Sequence, residues 1–466
     1  MVSIHRRISR SRLTAALLAT SATVLVVGTP LATASAATSP VQNGLFGAQD
    51  PTYDGVFRQS LAVLAYRAAG QTPPADAVTW LVGQQCADGG FQAFRSRTTT
   101  ACQKSDPATY TGEDTNSTGI AAAALRAIGQ AAAADRALAW TLAAQNSDGG
   151  FPYYLGGASD ANSTSVVLLG SNSAGRTPDS VQTGGISAVH YLTSLQVGCA
   201  GAPTDDDGGF AFQDYGSGLL DNDSASVQAT LALSGAALPF TPRTVSTGVP
   251  RSDCTTSPAP TPPATPAQLG AGHLARVLDA YSGAVPRFDF TAGARVPGSV
   301  SAGDTAWAAL ALAAVGVGRT QLDAALGVLS AQKMTAANVR TGAPSVSAAA
   351  VVATDQPGQL ALAALATAAA GGSASTVDGY VARIGATIRI APAATSPSPS
   401  PTPSTTSPAT TSSPPTPSAS SSSSDSGALS PTGATPLTPV IALLGAALLL
   451  LGSALLTATR SRGGHA

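Results

Sequence analysis

The chain contains 466 residues, of which 11% are charged, and its formal net charge is −1 at pH 7. A balance this close to neutral gives no electrostatic reason to expect nucleic acid or anionic lipid as a partner. The sequence also has no phosphate-cradling glycine loop and no Ser-His-Asp spacing, so nucleotide and nucleophilic chemistry have no support.

The N-terminus predicts a signal peptide over residues 1–36. Basic residues precede an apolar run, and Ala34-Ser35-Ala36 has the small-x-small pattern of signal-peptidase cleavage. We therefore expect an exported protein whose mature chain begins near Ala37. General secretion is favoured over the twin-arginine route, because the residues that usually follow a pair such as Arg6 and Arg7 are absent.

Residues 37–390 contain two alternating kinds of predicted helix. The first is alanine-rich and apolar, with its larger side chains three and four residues apart, and each copy ends in glycine. This spacing predicts buried helices, and a terminal glycine supplies a left-handed C-cap. The expected ends are Gly70, Gly129, Gly170, Gly235, Gly316 and Gly371.

The second kind of helix is more polar and ends in a Gln-x-x-Asp-Gly-Gly-aromatic phrase. Aspartate and glycine permit a chain reversal, the aromatic ring can pack back over the hairpin, and glutamine can bond loose backbone groups. The phrase decays near Gln332, and the copy expected near Tyr281 lacks the glycines. Its three recognisable copies run from Gln85 to Phe91, from Gln145 to Phe151 and, with an insertion, from Gln196 to Phe210.

This phrase resembles the repeat motif of squalene and hopene cyclases and of protein prenyltransferase β subunits. The resemblance covers most of residues 37–390 and implies an all-α fold, an α/α toroid of about six helical hairpins. It also implies that the alanine-rich helices form the inner ring and point their N-termini to one shared face. A fold resemblance does not by itself assign an activity.

Polar residues lie just before several of the predicted inner helices. They are typical of N-caps, whose side-chain oxygens accept hydrogen bonds from free backbone amides. In a toroid they would also meet at one rim and could form a polar or cation-binding mouth over an apolar cavity. The candidate ligand-binding residues are Asp114, Asn116, Asp160, Asn162, Asp223 and Asp304.

The sequence argues against the enzyme activities of the resembled families. Ser301 to Ala306 aligns with the Asp-x-Asp-Asp-Thr-Ala motif of class II terpene cyclases, but Gly303 replaces the proton-donating aspartate. Aromatic residues, whose ring faces stabilise carbocations, make up 5% of the chain. The zinc ligands of protein prenyltransferases have no counterpart. We therefore predict no catalytic residue and no cofactor.

The chain has four cysteines, which in an exported protein favour two disulfides over metal ligation. We pair Cys86 with Cys102 and Cys199 with Cys254, because each pair brackets one loop after a predicted helix. Zinc is the alternative, but no Cys-x-x-Cys occurs and no histidine has metal-ligand spacing with a cysteine. We therefore predict no metal site.

The C-terminal region predicts a surface anchor. A stretch of almost only Pro, Ser, Thr and Ala cannot bury a core and is expected to form a disordered stalk. By resemblance to sorting signals, a sortase would cleave between Thr432 and Gly433 and join the chain to peptidoglycan; membrane retention is the alternative. The order is a linker at 391–428, the sortase-like motif at 429–433, a transmembrane segment at 440–458 and a basic cytoplasmic tail at 459–466.

Three functional hypotheses follow. The leading one is a non-enzymatic cell-surface protein whose extracellular toroid binds a small molecule or an envelope component. The second is an exported cyclase-like or polysaccharide-processing enzyme that uses rim carboxylates as acid and base. The third is a purely structural or adhesive domain.

Overall fold

The computed structural model describes residues 43–198, 206–250, 264–289, 294–337 and 353–389. The predicted signal peptide, linker, sortase-like motif with Thr432 and Gly433, and segment 440–458 lie outside the described residues, as do Cys199 and Cys254. Within the described ranges, no helix combines the length and the apolar character needed to cross a membrane.

Twelve α-helices, which alternate between an inner and an outer position, dominate the described part of the chain. Four short antiparallel strand pairs lie in the connections between them. The helices are α1 Gly55–Ala68, α2 Ala75–Gln84, α3 Thr115–Ala127, α4 Ala131–Leu142, α5 Ala161–Ser173, α6 Ala188–Ser194, α7 Asp223–Leu233, α8 Pro266–Ala280, α9 Ala302–Val315, α10 Arg319–Ala331, α11 Pro357–Ala369 and α12 Ala374–Ala386. The strands are β1 Phe151–Pro152, β2 Ser159–Asp160, β3 Gln182–Thr183, β4 Ile186–Ser187, β5 Phe288–Asp289, β6 Ala294–Arg295, β7 Thr335–Ala337 and β8 Ala353–Asp355.

The odd-numbered helices form a closed ring. Each packs against the next odd-numbered helix, and α11 packs against α1. Each even-numbered helix packs on the outside against the odd-numbered helix before it. The two ends of the ring also pair directly, since Gly44 N donates to Arg389 O at 2.8 Å and Arg389 N donates to Leu45 O at 2.9 Å. This helix-rich architecture agrees with the predicted all-α toroid of helical hairpins.

Inner and outer helices differ in how much of their circumference they bury. In α9 every residue from Thr305 to Ala314 is buried, whereas α10 buries only Leu322, Ala325 and Leu329. The spacing of three and four residues in α10 is that of a helix with one apolar stripe. The inner ring is alanine-rich because helices that are surrounded on all sides need small side chains to approach one another.

The predicted glycine ends are confirmed with one exception. Left-handed glycines follow the inner helices at the expected positions Gly70, Gly129, Gly235, Gly316 and Gly371. Gly170 was expected to end α5, but the helix continues to Ser173 and the left-handed glycine after it is Gly175, with φ 81°. The reason is steric: a Cβ on Gly170 would lie 2.5 Å from the carbonyl oxygen of Gly119 in α3. Gly170 therefore permits a close helix crossing and does not terminate a helix.

We predict that Gly170→Ala destabilises the toroid by about 1–3 kcal/mol, because the added methyl group overpacks the contact between α3 and α5. Gly327→Ala is the matched control, since a Cβ there meets nothing within 4 Å on the exposed face of α10. That control should gain about 0.4–1 kcal/mol through lower entropy of the unfolded chain. Urea unfolding followed by circular dichroism measures both, and equal effects would refute the close-crossing explanation.

Candidate functional site

The glutamine of each repeat phrase joins two neighbouring hairpins. Its side-chain amide donates to the carbonyl of the first glycine of its own phrase. The same amide also donates to a carbonyl that lies in the next outer helix or just before it. The phrase is therefore a structural device that sets the spacing between outer helices. The contacts are Gln85 Nε2 to Gly89 O (3.0 Å) and Ala133 O (2.8 Å), Gln145 Nε2 to Gly149 O (2.7 Å) and Val181 O (3.3 Å), and Gln196 Nε2 to Gly208 O (3.0 Å) and Pro266 O (2.9 Å).

The aromatic residue of each phrase is fixed against the following inner helix. Phe91, Phe151 and Phe210 are completely buried. Their backbone N–H groups donate to the hydroxyls of Thr118, Thr164 and Ser226 at 2.9, 2.9 and 2.7 Å. Because those hydroxyls lie in the first turns of α3, α5 and α7, this bond positions the N-termini of the inner helices on one face, which we call the rim.

Asp114 and Asp160 cap inner helices. Asp114 Oδ1 accepts from Ser117 N at 2.6 Å, and Asp160 Oδ1 accepts from Ser163 N at 2.7 Å. Their side chains are buried, and burial raises the pKa of Asp114 to about 7 and that of Asp160 to about 6. Both candidate ligands thus have a structural role, and neither presents an exposed carboxylate to the rim.

Asp223 is part of a buried charged cluster. It is the first residue of α7, and Asn222 is the cap that accepts from Ala225 N at 2.9 Å. Arg295, in β6, contacts Asp223 at 2.8 Å and Asp221 at 2.6 Å. Sequence spacing did not predict this arginine, because it lies 72 residues beyond Asp223.

His273 completes this cluster and is completely buried in α8, with Nε2 3.2 Å from Asp221 Oδ2. Burial opposes ionisation of Asp221, but the contacts with His273 and Arg295 lower its pKa overall. One ligand atom from each of Asp221, Asp223 and His273 lies within 4.8 Å of the others, which is compatible with a metal ion. In this structure Arg295 already supplies the balancing positive charge.

The two predicted asparagines lie in the first turns of α3 and α5. Asn162 Nδ2 donates to Gln228 Oε1 at 3.1 Å and so ties α5 to α7. Asn116 Oδ1 is buried and has no hydrogen-bond partner. Neither side chain touches the cavity described next.

Asp304 is the predicted candidate that lines a cavity. It lies in the first turn of α9, where Oδ2 accepts from Ser301 Oγ at 2.7 Å and Oδ1 accepts from Ser224 Oγ at 3.0 Å. Burial raises its pKa, and nearby Asp223 adds to the increase. The cavity, which we call the rim cavity, has a volume of about 770 Å³ and is lined among others by Arg287, Asp304, Trp307, Lys333, Gln356 and Gln359.

Exposed large apolar side chains concentrate on the rim. In the described ranges, all of them but Ile186 lie in segments that lead into an inner helix. The rim members are Tyr53, Tyr110, Tyr215, Leu220, Phe288 and Val296, and their exposed fractions range from 38% to 75%. The rim therefore carries exposed apolar side chains in the loops that precede its inner helices.

The predicted disulfide between Cys86 and Cys102 is present, with a Cα–Cα distance of 5.7 Å. It links the turn after α2 to the loop that leads into α3. The other predicted pair, Cys199 and Cys254, cannot be placed because both residues lie outside the described ranges.

No protein-family model and no curated protein matches the chain. Among solved structures, a protein from Actinoplanes is 19% identical, with a TM-score of 0.39 over 63% of this chain and 76% of that chain. A variant of the type II terpene cyclase MstE from Scytonema, in complex with geranylgeranyl dihydroxybenzoate, is 13% identical, with a TM-score of 0.35 over 62% of this chain and 74% of that chain. The fold assignment rests on the ring contacts within this chain, which define it as an α/α toroid of helical hairpins.

We predict that Asp160→Asn removes a pH dependence of stability. The folded pKa of Asp160, about 6, exceeds its ordinary value of 3.8. The protonated carboxyl group therefore contributes fully to the free energy of unfolding below about pH 4, and this contribution is lost as pH rises through 6. Asparagine keeps the cap but does not ionise, so the wild type should lose stability relative to the variant over this window. The expected loss in free energy of unfolding is about 1.4 kcal/mol for each unit by which the folded pKa exceeds the unfolded pKa.

Urea unfolding at a series of pH values measures this difference. Asp76→Asn, which replaces an exposed carboxylate in the first turn of α2, is the control and should follow the wild-type profile. Parallel profiles for wild type and Asp160→Asn would contradict a raised pKa of the buried Asp160 carboxyl group.

Proposed function

We propose that this chain is a non-enzymatic cell-surface protein that binds an envelope component or a related small molecule in the rim cavity. The observation that carries the proposal is the cavity of about 770 Å³ between the N-termini of α9 and α11. Its size falls within the range of roughly 300–1,000 Å³ that is usual for ligand pockets.

The chemistry of the lining favours a ligand with hydroxyl and carboxylate groups. Arg287 and Lys333 are exposed and supply positive charge, and Gln356 and Gln359 supply amide donors and acceptors. Val300 adds a small apolar surface, whereas Trp307 borders the cavity but is almost completely buried. This combination suits a sugar or peptide fragment of an envelope polymer, which carries both polar groups and apolar faces.

The predicted rim carboxylates support binding more than turnover. Asp114 and Asp160 are committed to helix caps, and Asp223 is paired with Arg295. Asp304 has both oxygens hydrogen-bonded to serine hydroxyls. A glycoside-processing enzyme needs two carboxyl groups that face the same substrate, and this arrangement does not supply such a pair.

We further propose that the toroid is exported and displayed from the cell surface. This part of the proposal rests on the sequence: the signal peptide, the Pro/Ser/Thr-rich stalk and the sortase-like motif are arranged as in anchored surface proteins. Thr432 would carry the link to peptidoglycan, and residues 440–458 would otherwise hold the chain in the membrane.

Native mass spectrometry of the mature chain, secreted by its own host and compared with the denatured chain, tests the binding proposal. We expect an additional mass that is lost on denaturation. The double variant Arg287→Gln/Lys333→Gln should lose it or bind at least about tenfold more weakly, because charge-assisted hydrogen bonds contribute about 1.5–3 kcal/mol each.

Arg97→Gln is the matched control, since Arg97 is an exposed arginine of the loop before α3 and does not line the rim cavity. It should retain the bound mass. A bare wild-type chain, or a ligand that the double variant keeps, would overturn the assignment to this cavity and leave the structural or adhesive hypothesis as the better one.

A further inference from the structure

The disulfide lies against a buried carboxyl group. One ligand atom each from Cys86, Cys102 and Glu113 lies within 4.8 Å of the other two. We call these residues the thiol–carboxyl cluster. Sequence spacing does not predict this cluster, because Glu113 lies 27 residues after Cys86 and belongs to no short metal-ligand motif with it.

Glu113 has an unused acceptor in this cluster. Its side chain is 1% exposed, and Oε1 has no hydrogen-bond partner. The other oxygen, Oε2, lies 3.5 Å from Lys104 Nζ, which also contacts Asp88. A buried oxygen without a donor is costly, so an additional cation or donor at this position would be stabilising.

We propose that opening the Cys86–Cys102 disulfide converts the thiol–carboxyl cluster into a zinc site. Two thiolates and one carboxylate are ligands that Zn²⁺ prefers, and a water molecule would complete a tetrahedral shell. The protein thus has two alternative cross-links between the turn after α2 and the loop before α3. One is covalent and oxidised, and the other is metal-bridged and reduced.

The disulfide is converted into the zinc site in two steps, reduction and then metal binding. A dithiol reductant delivers two electrons and two protons to the disulfide and is itself oxidised to a disulfide, which leaves two protein thiols. Zn²⁺ then binds as both thiols, and Glu113 where it carries a proton, release their protons to solvent. The intact disulfide excludes the metal, because its sulfurs are bonded to each other and are not thiolates.

The backbone holds all three ligands without help from the disulfide. Cys86 N donates to Gly90 O at 2.9 Å within the turn. Gln103 follows Cys102, and its carbonyl oxygen accepts a hydrogen bond from Glu113 N at 3.1 Å. Its own N–H donates to Gln92 Oε1 at 2.9 Å. These bonds should keep the ligands close together after reduction.

Lys104 is the charged group that the metal must displace. Its side chain is 73% exposed, so it can move into solvent without breaking core contacts. Its contact with Asp88, also at the edge of the cluster, can persist when its contact with Glu113 is lost. The two thiolates and the Glu113 carboxylate would carry three negative charges against the two positive charges of Zn²⁺. The metal site would therefore have one net negative charge, and Lys104 would remain the cation that balances Asp88.

The test uses the whole mature chain carrying Cys199→Ser and Cys254→Ser, so that only two cysteines remain. The protein is reduced with a dithiol, the reductant is removed without oxygen, and Zn²⁺ alone is titrated by calorimetry. We expect one Zn²⁺ per reduced chain and none per oxidised chain. Co²⁺ in place of Zn²⁺ should give the absorption bands of tetrahedral thiolate coordination.

Glu113→Gln should weaken Zn²⁺ binding by more than the roughly tenfold that loss of an outer-shell partner costs. Asp106→Asn, which changes a carboxylate of the same loop outside the cluster, should bind as the parent does. Unchanged affinity in Glu113→Gln, or no more Zn²⁺ than in a Cys86→Ser/Cys102→Ser variant, would overturn the proposal. Loss of helical circular dichroism on reduction that Zn²⁺ does not restore would also overturn it.

Discussion

The close approach of the inner helices is the constraint on which the rest of the structure depends. Where α3 crosses α5, Gly119 and Gly170 leave so little space that a Cβ on Gly170 would lie 2.5 Å from a backbone oxygen. Each inner helix packs against two inner neighbours, so large side chains on those faces would push the helices apart. The alanine-rich composition of the inner helices follows from this requirement.

Much of this architecture could be predicted because its signals are local. Gln85, Gln145 and Gln196 each satisfy carbonyls of a turn and of the next hairpin, so the same residue types recur wherever that turn recurs. The glycines that end helices can also be predicted from the sequence, since the left-handed position after a helix strongly favours glycine. Gly170 was misread because its role is tertiary: the residue that it must avoid lies 51 positions earlier in the chain.

The candidate site was predicted less completely than the fold. The sequence predicts polar residues at the starts of the inner helices, and two of the six candidates, Asp114 and Asp160, cap the helices themselves. The sequence does not predict the side chains that reach the candidate site from distant parts of the chain. Arg295 reaches Asp221 and Asp223 from a separate hairpin, and Glu113 meets the sulfurs of Cys86 and Cys102 through the return of a loop. Such contacts form only in the folded ring, so the spacing of residues along the sequence does not predict them.

Asp304 differs from Asp114 and Asp160 in the groups that bind its carboxylate oxygens. Asp114 and Asp160 stand at the cap position, where the first-turn amides of their own helices bind them. Asp304 lies three residues after Ser301, inside α9, and its partners are hydroxyls from Ser301 and Ser224. Hydroxyls can rotate and can be replaced by the hydroxyl of a ligand, whereas a capped backbone amide cannot. Two candidate carboxylates on inner helices have no capping role: Asp223, which is paired with Arg295, and Asp304, which lines the rim cavity.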